Sequence, residues 1–96
     1  MRYVSTRGSA PELGFAEVLL AGLATDGGLY MPTSWPTLPA SSGTGYAALA
    51  SAVMRPYLND EIDDAAFSQM CRDAYSTFRH PETVPLVEIG PNEWLM

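Results

Sequence analysis

Gly22-Leu-Ala-Thr-Asp-Gly-Gly-Leu-Tyr-Met-Pro32 lies where one periodicity stops and another starts, and its reading decides the fold. Upstream of it, Phe15, Leu19 and Leu23 recur every four residues with Leu20 beside them, which predicts a helix from Gly14 to about Ala24. Inside it, Asp26 tolerates turns and glycine enters the left-handed backbone region without a Cβ clash. Downstream, Leu29, Tyr30 and Met31 fit a short strand that stops at Pro32. Two successive glycines are more than a helix stop requires. A tight reversal at Asp26, Gly27 and Gly28, with a backbone approach that a Cβ would block, is therefore expected.

Working outward, Tyr3, Val4, Ser5 and Thr6 favour an opening strand before Gly8. Gly14 stands at the N-cap of the first helix with Glu17 three residues on. This is half a capping box, because glycine has no side-chain oxygen to answer the glutamate. Residues 32–45, rich in Pro, Ser, Thr and Gly, read as a surface connection close to the length limit for an unstructured loop. Tyr46, Leu49, Ala50, Val53 and Tyr57 then mark a second amphipathic helix, which ends or kinks near Arg55 because Pro56 would cost ~3 kcal/mol in a helix interior. Asp63 is a natural N-cap for a third helix, with Ile62 packing on Phe67 as a staple and Phe67, Met70, Cys71, Ala74, Tyr75 and Phe78 along one face. The closing VPLVEIGPNEWLM predicts a β-hairpin around Gly90, Pro91 and Asn92. The fold class expected is α+β: about three helices with a small β-sheet and a C-terminal β-hairpin. Trp94, Leu95 and Met96 end the sequence inside an apolar strand that needs cover, which leads to the expectation of a truncated chain.

Ninety-six residues make one small domain the working count, with a core that is not generous. No apolar run reaches the ~20 residues of a membrane span, and the N-terminus lacks a secretory stretch. A soluble, cytoplasmic protein is the expectation, and the single Cys71 fits a reducing compartment. A formal charge of −6 repels a phosphate backbone, so neither nucleic acid nor membrane is an expected partner. The five basic residues are all arginines. Without lysine, these residues have no side-chain amine to anchor an aldehyde cofactor.

Candidate chemistry is thin. Ser42 to Gly45 (SGTG) lacks the lysine of a phosphate loop and reads better as loop and cap. Asp60, Glu61, Asp63 and Asp64 lack the spacing of a calcium loop and suit a solvated helix start. Cys71 sits on the apolar face of the third helix as a core residue, and His80 has no partner at metal-ligand spacing. Trp35 anchors its loop on the core or on a neighbouring domain. Catalytic, cofactor-binding and metal residues are all expected to be absent.

Tyr3 with Ser5, Thr6, Arg7 and Gly8, then GFAEVLLAGLATDGGLYMP over residues 14–32, then GYAALA over residues 45–50, closely resembles the N-terminal region of threonine synthase. GLATDGGLYMP is the specific part: Gly22, Leu23, Asp26, Gly27, Gly28, Leu29, Tyr30 and Pro32 match the family signature at its spacing. DEIDDAAFSQMCRDAY and VPLVEI are similar to its third-helix and hairpin segments, while Gly14 departs from the serine common there. The resemblance implies a pyridoxal-phosphate lyase that converts O-phosphohomoserine and water to threonine and phosphate. It also implies that the anchoring lysine lies just beyond a segment similar to EWLM, in cofactor-binding domains of the same polypeptide that this sequence does not reach. On this reading the chain alone is inactive, holds no cofactor, and uses its signature residues for structure. The competing reading is a stand-alone acidic interaction module presenting Trp35, Trp94 and an open hairpin edge.

Overall fold

The computed structural model describes residues 1–40, 43–58 and 61–96. Strand β1 (Tyr3–Ser5) pairs antiparallel with β2 (Tyr30–Pro32), in the register Tyr3 to Pro32, Val4 to Met31 and Ser5 to Tyr30. Helix α1 (Phe15–Ala21) lies between them in sequence. Helix α2 (Tyr46–Met54) runs into a 3₁₀ turn (Arg55–Tyr57), and α3 (Asp64–Ser76) follows. Strands β3 (Val87–Gly90) and β4 (Glu93–Leu95) form a separate hairpin. Helices plus two small antiparallel sheets make the α+β class.

Local chemistry accounts for most of the boundaries. Asp63 Oδ1 accepts hydrogen bonds from the Ala65 and Ala66 N–H groups at 3.0 and 3.1 Å, satisfying two donors that the start of α3 would otherwise leave unpaired. Pro56 falls in the 3₁₀ turn, where its missing N–H breaks no α-helical ladder. The β3–β4 turn places Asn92 at φ +59°, a left-handed conformation that asparagine tolerates. Ile89 is the extra residue of a bulge between Glu88 and Gly90.

Two expectations need correcting. Helix α1 stops at Ala21, three residues short of Ala24, because Gly22 swings to φ +69° and ψ −72° and breaks the helical path. Its last bond runs from Gly22 N–H to Val18 O at 3.0 Å. The second strand starts at Tyr30 and includes Pro32, which an edge strand accepts, while Leu29 is used through its backbone instead.

The core gathers Leu58, Phe67 and Cys71, with Phe15, Ala47, Tyr57, Ile62 and Tyr75 packed around them. Ile62 and Phe67 thus share one cluster at the start of α3, as a staple requires. Tyr75 extends it through edge-on ring contacts with Tyr46 and Phe78, at centroid distances of 4.8 and 5.3 Å. The radius of gyration is 16.4 Å. A compact chain of this length has about 12–13 Å, so the core is small for the volume the chain occupies. Leu19, Leu20, Trp35, Leu38, Ile89 and Trp94 all remain exposed. Trp35 therefore does not anchor its loop on this core.

Candidate functional site

Four hydrogen-bond donors converge on the carboxylate of the signature residue Asp26. Asp26 Oδ1 accepts from the Ser5 hydroxyl at 2.7 Å and from the Gly28 N–H at 2.9 Å. Its Oδ2 accepts from the Ser9 and Ala10 N–H groups, each at 2.9 Å. Four donors favour the charged form, and they hold the Asp26 carboxyl down from 3.8 to about 2, the Ser5 hydroxyl contributing most and the Gly28 N–H next. One side chain therefore ties the end of β1, the loop after it and the turn after α1 into a single node.

Neighbouring residues lock that node from both sides. The buried Ser5 hydroxyl also accepts from the Arg7 N–H at 3.1 Å, and Arg7 Nη1 donates to the Asp26 carbonyl at 3.2 Å. Thr6 and Leu29 extend the β1–β2 ladder by one step: Thr6 N–H donates to Leu29 O at 2.8 Å, and Thr6 Oγ1 accepts from Leu29 N–H at 3.0 Å. The turn itself closes through Gly27 N–H to Ala24 O at 2.9 Å and Ala24 N–H to Gly28 O at 3.0 Å.

The two glycines do different jobs. Gly27 has φ +78°, a conformation that disfavours any Cβ, and only the Arg7 guanidinium lies near it, its Nη1 3.2 Å from where a Cβ would stand. Gly28 has an ordinary backbone, but a Cβ there would lie 2.3 Å from Ser5 Oγ and 3.0 Å from both Asp26 Oδ1 and Thr6 Oγ1. One glycine supplies a backbone conformation and the other supplies space.

The remaining signature residues lie around this node. Tyr3 and Pro32 face each other in the ladder beside Tyr30, whose hydroxyl reaches Pro11 O at 3.3 Å. Gly22 ends α1, and Leu23 faces solvent without joining the node. Tyr3 is buried, and its hydroxyl donates to Tyr57 O at 2.6 Å, joining the first strand to the 3₁₀ turn. Burial, followed by the nearby Tyr57 and Glu61 charges, pushes the Tyr3 phenol up from its ordinary value.

A second contact was not visible in the sequence. The Glu17 carboxylate reaches back to Gly14 N–H at 2.9 Å, but Gly14 has no side chain to return the bond. Glu61, just ahead of α3, supplies the missing acceptor: its Oε2 takes the Ala16 N–H at 2.7 Å. Glu61 Oε1 also sits only 2.8 Å from where a Cβ on Gly14 would stand. Glycine at the cap and glutamate at residue 61 are thus complementary. Replacing Glu61 with Ala is expected to lower stability by about 1 kcal/mol. In a Gly14→Ser background, where the serine hydroxyl caps the helix, the same change should cost close to nothing. Urea unfolding of the four proteins of this double-mutant cycle measures the difference, and additive losses would rule the coupling out.

The other candidate residues are committed to structure. Asp63 caps α3 and Asp64 pairs with Arg55, while Asp60 and Ser42 lie outside the described residues. An open cavity of about 520 Å³ lies between α2 and α3, and within its lining Arg55 is engaged with Asp64, Ser51 with Ser68, and Arg72 with the neighbouring Gln69. Gly45, at the start of α2, gives no side-chain cap. Cys71 is a buried free thiol. His80 Nδ1 accepts from Glu82 N–H within its own turn. Among the described residues, no three metal-ligating side chains gather, and no helix is long and apolar enough to cross a membrane.

Fold and site together define a small α+β unit whose polar groups are used to fix its own turns and caps. Known proteins supply the family. Residues 2–75 match the family described as Threonine synthase N terminus, and the chain belongs to that family. It is 45% identical to the threonine synthase of Pseudomonas aeruginosa, an alignment that covers 100% of this chain and 22% of that protein. The crystal structure of a pyridoxal-phosphate-bound threonine synthase from Brucella melitensis superposes with a TM-score of 0.88 at 49% identity, covering 99% of this chain and 22% of that one. The yeast threonine synthase structure gives 0.79 at 40% identity, over 90% of this chain and 18% of its own. The chain therefore spans about a fifth of the length of the relatives it matches. Nothing in these likenesses supports a stand-alone interaction module.

Proposed function

We propose that residues 1–96 form the N-terminal domain of a cytoplasmic threonine synthase, a lyase that turns O-phosphohomoserine and water into threonine and phosphate. The observation that carries this reading is the close superposition of nearly the whole chain on the pyridoxal-phosphate-bound enzyme, at 49% identity. Pyridoxal phosphate does not fit the residues present here: the chain has no lysine and so no side-chain amine for the cofactor's aldehyde. The cofactor belongs to other domains of the same polypeptide, and O-phosphohomoserine is the substrate of the whole. The role of these residues is architectural. The Asp26 node, with Tyr3, Ser5, Thr6, Arg7, Gly27, Gly28, Leu29 and Tyr30, fixes the turn that presents this domain to the rest of the enzyme.

The test is phosphate release from O-phosphohomoserine. The longer polypeptide, supplied with pyridoxal phosphate, is expected to release phosphate and form threonine, while residues 1–96 alone give no turnover. Activity of the isolated chain, or a reading frame that stops at residue 96, would refute the proposal.

A further inference from the structure

Helix α1 is apolar on more than one side. Phe15 packs on the core and Val18 is half-buried, yet Leu19 is 67% exposed, Leu20 89% and, just past Gly22, Leu23 65%. Glu17 is the only charged side chain in the helix, and it is turned back onto the Gly14 N–H. A surface helix normally sets charge opposite its buried stripe, whereas one that is apolar all round is covered on both sides. We infer that the exposed leucines at the end of α1, Leu19 and Leu20 on the helix and Leu23 just past it, form the seat for a segment of the longer polypeptide C-terminal to residue 96. This rests on the function proposed above.

Three observations select that occupant. The matching family segment is an N terminus and the chain spans 22% of the Brucella melitensis protein, so in such a protein most of the chain follows it. Three leucine side chains fall short of the roughly 800 Å² per partner that separate chains bury in a standard interface. A covalently continuous segment needs no such area, because the chain itself sets its effective concentration. Finally, the patch carries no charge to meet a charged partner. Its cover is an apolar helix or sheet face.

Thiol labelling reads this directly. In the longer polypeptide, Leu20→Cys is treated with a maleimide and modification at position 20 is followed by peptide mass spectrometry, with Leu19→Cys as a second variant. Cover by the same chain predicts labelling at least about tenfold slower than in the urea-unfolded protein, and insensitive to dilution. Native labelling as fast as unfolded labelling overturns the inference, and so does protection that disappears on dilution, which would make a second copy the cover. The two levels separate cleanly. A catalytically active longer polypeptide with a freely reactive thiol in both variants sinks this inference alone. A protected thiol in a polypeptide that cannot make threonine sinks the proposed function alone.

Discussion

Gly28→Ala is expected to be among the most damaging single-methyl additions in this chain. A Cβ there meets Ser5 Oγ at 2.3 Å, with Asp26 Oδ1 and Thr6 Oγ1 both at 3.0 Å. None of these oxygens is the loose end of a long side chain. Each is already engaged, Ser5 with Asp26, Asp26 with Gly28 N–H, and Thr6 with Leu29 N–H. Relief requires β1 and the turn to separate, at a cost of about 3 kcal/mol. In a domain of this size that corresponds to a fall of roughly 10–20 °C in Tm, and valine should be worse. Gly27→Ala is the informative comparison. It meets only the Arg7 guanidinium, which can move, and it pays a conformational cost of about 1–2 kcal/mol at φ +78°. Gly27→Asn should recover part of that loss, whereas Gly28→Asn should not. Thermal unfolding followed by circular dichroism gives the ranking, and a Gly28→Ala protein as stable as the parent would show that the turn is not packed as described.

Asp26→Asn is expected to show the second large effect, with a pH signature of its own. The amide keeps one acceptor for the Ser5 hydroxyl and Gly28 N–H but points donors at the Ser9 and Ala10 N–H groups, which then lose their partner. The folded-state carboxyl lies at about 2 against an ordinary 3.8. Because folding lowers this value, the stabilisation is complete above the ordinary carboxylate range and is lost as pH falls from 3.8 towards 2. Urea midpoints of parent and variant should therefore lie far apart at neutral pH and converge near pH 2. A gap independent of pH would mean that the charge does not hold the node. By contrast, the exposed Arg2–Glu12 pair at 3.1 Å should give little change when Glu12 becomes Gln.

The sequence disclosed what is local. The Asp63 cap, the break at Pro56, the hairpin turn and the reversal at Asp26–Gly28 each depend on residues a few positions apart, whose propensities act within one turn of chain. What escaped it is long-range. That Gly28 lacks room depends on Ser5, and the cap of α1 depends on a glutamate 45 residues away in sequence. Only the unmet N–H implied by Gly14 hinted that a distant acceptor was needed. The leucine spacing predicted a helix, but a period of four residues does not say which apolar side the core will claim. It claimed Phe15 and left Leu19 and Leu20 outside. The signature residues were legible as a set through family likeness, but their division of labour was not. Leu23 and Gly22 stand apart from the node, and Ser9 and Ala10, outside the signature, donate to it through their backbones.

The bond from the Ala16 N–H to Glu61 and the one from the Tyr3 hydroxyl to the Tyr57 carbonyl also bear on the order of assembly during synthesis. The β1–β2 pairing and the Asp26 knot need nothing beyond residue 33, so they can close early as the nascent chain leaves the ribosome. The first helix, by contrast, keeps an unfinished end until the start of the third has emerged, which ties its final docking to the arrival of the helical half.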